Sequence, residues 1–162
     1  MNRKSESKDN YAVGIISDTH GLLRPRAVDA LEGSDLIIHV GDIGAPRIID
    51  ELKMIAPVIA VRGNMDNGGW AYDLKRSESI VVNGHVLYVV HDVGRLDIEP
   101  ASAGVNAIIY GHSHRPSIQK HEGILYINPG SAGPRRFTLP VSVAVLSITK
   151  KKLIPKIIEL KV

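Results

Sequence analysis

The apolar positions of this chain come in short runs separated by polar, glycine and proline punctuation. Tyr11 to Ser17 is β-prone and apolar throughout, which predicts a strand buried on both faces. Arg24 to Glu32 follows as a predicted helix, with Pro25 suited to the first turn and Gly33 to the stop. Leu36 to Val40, Pro46 to Ile55 and Val58 to Val61 repeat the pattern. The first third therefore predicts two successive strand–helix–strand crossovers and a parallel sheet. Beyond it the rhythm changes. Ile80 to Val82 and Val86 to Val90 flank Asn83-Gly84, a dipeptide that favours the type I′ turn of a hairpin. Asn106 to Tyr110 is another buried run, and from Ser117 strands and turns alternate, closing on a hairpin of Val141 to Thr149 with Leu153 to Leu160. A helix-rich beginning and a strand-rich end predict a mixed α/β sandwich of two sheets.

Composition narrows the class. With 162 residues, 44% hydrophobic and 23% charged, the chain has the balance of one globular domain, expected over residues 11–162. Residues 1–10 are polar and read as a disordered tail. No run of about twenty apolar residues is present, so no membrane partner is expected. Cysteine is absent, which excludes thiolate catalysis and Cys-bound metal and, with no secretory apolar segment, points to the cytoplasm. The formal charge of +3 gathers near the C-terminus, at Lys150, Lys151, Lys152, Lys156 and Lys161. A charged edge strand that resists edge-to-edge pairing accounts for it. With only seven aromatic side chains for base stacking, nucleic-acid binding is not expected.

The chemistry stands at the carboxyl ends of the predicted strands. The first run delivers Asp18-Thr19-His20, the next Gly41-Asp42, then Gly63-Asn64, His91, and Gly111-His112-Ser113-His114. In open α/β sheets ligands bind outside those ends, so residues spread along most of the chain converge if the strands pair as predicted. Extended segments project residues two apart to the same side, which pairs Asp18 with His20 and His112 with His114. Two carboxylates, four imidazoles and an amide suit Mn²⁺, Fe²⁺, Zn²⁺ or Ni²⁺ better than calcium. Seven ligands are too many for one ion with an open position. Two ions sharing a carboxylate fit better.

This set, in this order and with Asn128-Pro129-Gly130-Ser131 after it, resembles the calcineurin-like metallophosphoesterases, and within them the small YfcE-type phosphodiesterases. The resemblance runs from about residue 11 to the end. It implies a four-layer αββα sandwich and a dinuclear site, most simply of Mn²⁺. One ion falls to Asp18, His20, Asp42 and His114, and the other to Asp42, Asn64, His91 and His112, with Asp42 bridging. It further implies that Asp42, Asn64 and His91 serve catalysis on small phosphate esters. Paired cations activate water and stabilise phosphoryl charge, so no side-chain nucleophile is needed. One departure bears on substrate: where larger members carry a proton-donating histidine after the asparagine, this chain has Met65 and then Asp66. Leaving groups that depart without acid assistance are expected. Asp92 stands where the family commonly has glycine.

Other candidates read as structural. His39 reads as a hydrogen-bonded core residue, and His85 and His121 as solvated. Asn128 to Ser131 supports the site by resemblance. For Arg62, Arg115, Arg135 and Arg136, phosphate binding and a solvated surface role stay open. Two further functions compete. An interaction scaffold is known on this fold in a retromer coat subunit with a decayed metal site, and a nucleic-acid module is suggested only by charge. Self-association into a homo-oligomer through outer strands is compatible with the pattern.

Overall fold

The computed structural model describes residues 2–4 as backbone and residues 8–162 in full. Its elements, in order, are β1 (Asn2–Lys4), β2 (Tyr11–Ile16), α1 (Pro25–Leu31), β3 (Leu36–His39), α2 (Pro46–Lys53), β4 (Val58–Ala60) and α3 (Gly69–Tyr72). There follow β5 (Ser77–Val82), β6 (His85–Val90), a 3₁₀ turn at Val93–Arg95, β7 (Ala107–Ile109), β8 (Ser117–His121), β9 (Ile124–Asn128), β10 (Ser142–Ile148) and β11 (Leu153–Glu159). Two mixed sheets result, ordered β11-β10-β2-β3-β4 and β1-β5-β6-β7-β9-β8. This is the expected α/β sandwich.

Both crossovers of the first third form: β2, β3 and β4 run parallel, with Val13 opposite Leu36 and Ile37 opposite Val58. In the other sheet β6, β7 and β9 are parallel, while β5 and β6 form the antiparallel hairpin around Asn83-Gly84. The β8–β9 hairpin turns on Glu122-Gly123. Among the described residues β11 is an outer strand paired with β10 alone, but of the five lysines only Lys156 lies on it; Lys150 to Lys152 are in the turn before it and Lys161 is beyond it.

Alternation assigns each side chain to a layer. Val13, Ile15, Ile38, Val40, Leu87, Val89 and Ile109 meet between the sheets in a continuous core. Ile16 and Ile37 face outward instead, under α1 and α2, where Leu31, Ile48 and Leu52 cover them. Helix α2 has eight residues, too few to be stable alone in water, so its burial of Ile48 and Leu52 holds it, at roughly 1.5–3 kcal/mol for each side chain. The outer face of the six-stranded sheet is covered by the 3₁₀ turn and the loop after it, with Val93, Leu96 and Ile98 packed on Tyr88, Val90 and Ile108.

Two expectations change. Residues 1–10 are not wholly a tail, because Asn2–Lys4 pairs in parallel with Ser79 to Val81. Main-chain groups of an edge strand recruit a partner whatever its side chains are. Met1 and residues 5–7 lie outside the described residues. The second change is α3, a single turn that the punctuation around Gly68 and Gly69 gave no reason to expect.

Candidate metal centre

The parallel strands of both sheets end at one rim, where Asp18 follows β2, Asp42 follows β3, Asn64 follows β4, His91 follows β6 and His112 and His114 follow β7. Backbone hydrogen bonds stitch these ends together: Asp18 N–H donates to the Gly41 carbonyl at 3.0 Å, His20 N–H to that of Asp42 at 3.0 Å, and Gly111 N–H to that of His91 at 2.9 Å.

Asp18, His20 and His114 bring one donor atom each to within 4.8 Å of one another, and Asp18, Asp42 and His91 do the same. The Oδ1 atom of Asp18 stands 3.3 Å from His114 Nε2 and 3.9 Å from the Nε2 atoms of His20 and His91. The Oδ2 atom of Asp42 is 3.3 Å from His91 Nε2 and 3.9 Å from His20 Nε2. His112 sits edge-on to His91 with ring centroids 5.3 Å apart. His112 and Asn64 are exposed, and both line a cavity of about 490 Å³ together with His91. Thus five of the expected ligands cluster tightly, and Asn64 and His112 lie on the open side.

The pairing of neighbours has a different origin from the one expected. Asp18, His20, Asp42, His112 and His114 all have left-handed backbone, with φ of 55°, 46°, 53°, 73° and 62°. Each such residue costs roughly 1–2 kcal/mol for an L-side chain, and such strain clusters at functional sites. Two glycines are required by close approach. A Cβ on Gly63 would lie 2.1 Å from Asp42 Oδ1, and one on Gly111 would lie 2.3 Å from Ser17 Oγ.

Supporting bonds point these side chains inward. Ser17 Oγ–H donates to Asp18 Oδ2 at 2.6 Å, and Met65 N–H donates to Asp42 Oδ1 at 2.9 Å. Asn128 Nδ2–H donates to the Gly111 carbonyl at 3.1 Å and to Ser113 Oγ at 3.0 Å, which steadies the loop that carries His112 and His114. His39 is fully buried as expected. The Thr19 hydroxyl donates to the Ile43 carbonyl, so it accepts from His39 Nε2, and Gly41 N–H donates to His39 Nδ1. Burial above all pushes His39 down to about 3, so the ring is neutral. His85 is not solvated as expected. It is half-buried, with Nε2 at 2.9 Å from the Thr149 carbonyl.

Electrostatics favours two anions here. Burial opposes the ionisation of Asp18, yet His114, His91 and Ser17 outweigh it and hold the carboxyl below its ordinary range. Asp42 is likewise held low, where burial is outweighed by His91, the Met65 N–H and His20. Burial pushes His91 down, but Asp42, Asp18 and the Val40 carbonyl raise it on balance.

The donor set fits a divalent cation on a direct observation: Asp18 Oδ1, His20 Nε2 and His91 Nε2 are buried without a hydrogen-bond partner among the described residues. Buried polar atoms are ordinarily paired, and here they face one another. Nitrogen and oxygen donors together suit a transition metal.

Sequence reasoning missed Asp66. Its Oδ1 accepts from the N–H groups of Ile43 and Gly44, at 2.8 and 3.1 Å, and its Oδ2 from that of Gly63 at 2.9 Å. It clamps the loop after β3 to the loop after β4. An aspartate three residues beyond a glycine at a strand end was the available signal. Asp92, left unassigned by sequence, caps the 3₁₀ turn by accepting from Gly94 N–H. Arg115, Arg135 and Arg136 are exposed, whereas Arg62 lines the cavity.

The fold and the rim define a two-sheet α/β sandwich with a histidine–aspartate cluster at the strand ends. Residues 12–151 match the calcineurin-like phosphoesterase superfamily domain, and the chain belongs to that superfamily. A probable metallophosphoesterase of Methanocaldococcus jannaschii is 40% identical over 159 residues, covering 88% of this chain and 80% of the relative. A solved archaeal phosphodiesterase is 25% identical with TM-score 0.74, over 91% of this chain and 99% of the other. The fold is shared with YfcE from E. coli, a phosphoesterase, at TM-score 0.65 and 20% identity over 93% and 100% of the two chains. It is shared too with Vacuolar Protein Sorting 29 from Cryptosporidium parvum, at TM-score 0.81 and 16% identity over 95% and 93%. Among the described residues no helix is long and apolar enough to cross a membrane.

Proposed function

We propose that this protein is a metal-dependent phosphodiesterase acting on small phosphate esters, with residues 11–162 as one catalytic domain working in the cytoplasm. The observation that carries the reading is the set of buried, unpartnered donor atoms on Asp18, His20 and His91. Asp18, His20, Asp42 and His114 would hold one divalent cation, and Asp42, Asn64, His91 and His112 a second, with Mn²⁺ the first choice. Bound there, such cations supply Lewis acidity toward phosphoryl oxygens and bring the pKa of water toward neutrality. The chain supplies the rest. Asp18 and Asp42 are ionised at neutral pH, and the Val40 carbonyl orients His91. Asn64 and His112, on the cavity side, stand where a phosphoryl group enters. Met65 donates no proton, so the departing group leaves unassisted.

The test is hydrolysis of bis(4-nitrophenyl) phosphate by purified protein, with added Mn²⁺ and with chelator. Turnover that requires Mn²⁺ and stops in chelator supports the reading; no turnover with any of Mn²⁺, Fe²⁺, Zn²⁺ or Ni²⁺ overturns it. The fold likeness to Vacuolar Protein Sorting 29 favours one second reading, an interaction scaffold. Elemental analysis that finds no metal in active-site stoichiometry, together with absent turnover, selects the scaffold.

A further inference from the structure

The cavity beside the cluster is lined by arginines and aspartates as well as by the histidines. Arg62 and Arg76 line it with Asn64, His91 and His112. Its carboxylates are already engaged: Asp92 accepts from Gly94 N–H and lies 3.8 Å from Arg95, and Asp97 accepts from the Tyr88 hydroxyl at 2.8 Å. Arg62 is different. Its Nε is buried and has no hydrogen-bond partner among the described residues, an expensive state for a charge-bearing donor. Its guanidinium is 5.3 Å from the Tyr72 ring centroid, and its backbone N–H is fixed to the Lys75 carbonyl at 2.9 Å. The Tyr72 ring thus favours one placement of the fork before any anion arrives. Arg62 stands two residues before Asn64 in the segment after β4, and both line the same cavity, so a group bound beside Asn64 has Arg62 as a neighbour.

Met65 gives this a chemical meaning. It cannot protonate a leaving group, and an alkoxide leaves poorly without a proton. A phosphate leaves as an oxyanion whose conjugate acid has a pKa of about 6, so no proton donor is needed.

We infer, resting on the phosphoesterase reading above, that Arg62 is a specificity-determining residue that holds a second phosphate, so that the preferred substrates are disubstituted diphosphates. Arg62 grips the departing phosphate through its planar fork, the geometry guanidinium offers to phosphate. In the step, the oxygen of one water bonds to the attacked phosphorus. The bond from that phosphorus to the bridging oxygen breaks, and its electron pair stays on the departing phosphate. Both protons of the water end on the two phosphate monoester products, which release them to solvent.

The experiment compares wild type, Arg62→Ala and Arg62→Lys. One arm measures kcat/KM on P1,P2-di(adenosine-5′) diphosphate and on bis(4-nitrophenyl) phosphate with Mn²⁺. The other titrates metal-free protein with inorganic pyrophosphate by calorimetry. Expected are a preference for the diphosphate in wild type, a fall of roughly 10- to 100-fold in the ratio of the two kcat/KM values in Arg62→Ala, and pyrophosphate binding weakened by about 10-fold. Arg62→Lys, which keeps the stem over Tyr72, is expected between the two and serves if the alanine variant does not fold. Hydrolysis of the aryl ester but not the diphosphate, or an unchanged ratio, overturns the inference and leaves the phosphoesterase reading standing. If neither ester is hydrolysed, that reading falls, and equal pyrophosphate binding by wild type and variants then overturns the role of Arg62 as well.

Discussion

The Nδ1 atom of His91 lies 2.8 Å from the carbonyl oxygen of Val40, and a carbonyl only accepts, so Nδ1 carries the proton. Val40 follows β3 of one sheet and His91 follows β6 of the other, so this bond spans the sandwich at its functional rim. It fixes the ring so that Nε2 points at Asp42. The tautomer that binds a metal through Nε2 is thereby selected by the fold.

Asp42→Asn keeps an oxygen for the Met65 N–H and removes the charge that faces His91 and His20. Mn²⁺-dependent phosphodiester hydrolysis should fall by more than the roughly 100-fold that loss of a residue behind a ligand costs, with the circular dichroism spectrum unchanged. Full activity in this variant sinks the proposed function.

Asn128→Ala removes the donor that ties the Gly111 carbonyl to Ser113. No proposed ligand is touched. Mn²⁺ affinity, read by calorimetry, should drop by about 10- to 100-fold because His112 and His114 lose their common support. An unchanged affinity shows that the loop holds its shape without Asn128.

Asp66→Ala strips acceptors from three backbone N–H groups at once. Urea denaturation should show a loss of about 3–5 kcal/mol, since each buried donor left unpaired costs roughly 1–3 kcal/mol. A loss below about 1 kcal/mol would mean that water replaces the carboxylate.

Asp35 gives acid sensitivity away from the rim. Burial raises its pKa, but the Ala12 N–H at 2.8 Å and Lys8 at 2.9 Å outweigh it, and the folded value lies below the unfolded one. The stability it contributes is present above the unfolded pKa of about 3.9 and is lost as pH falls through the folded value. Wild type should therefore lose its advantage over Asp35→Asn progressively as pH falls below about 3.9, measured by thermal melting. A gap that does not narrow on acidification assigns the effect to something other than ionisation.

The crossovers and the ligand order were legible because a strand buried on both faces leaves an unbroken apolar run, and its polar terminus stands out. Asp18, Asp42, His91 and His114 were visible on those grounds. Three things were not. Left-handed backbone at non-glycine residues leaves no compositional trace, so the extended geometry expected for Asp18 with His20 and for His112 with His114 is not the one adopted. Asp66 looks like any loop aspartate until its three main-chain partners, from two separate loops, are brought to it. The pairing of Asn2–Lys4 rests on backbone groups alone, which side-chain patterns do not report.

Asp18 and Asp42 belong to one sheet and His91 and His114 to the other, so each proposed cation, held by side chains from both, would act as a rivet through the seam. Its effect reaches beyond chemistry. Hydrogen–deuterium exchange with and without Mn²⁺ should show joint slowing at Gly41 to Ile43 and at Gly111 to His114, while the distant turns at Asn83-Gly84 and Thr149 to Lys152 keep their rates. Loading the proposed ions would fasten one mouth of the sandwich and leave the opposite mouth to breathe.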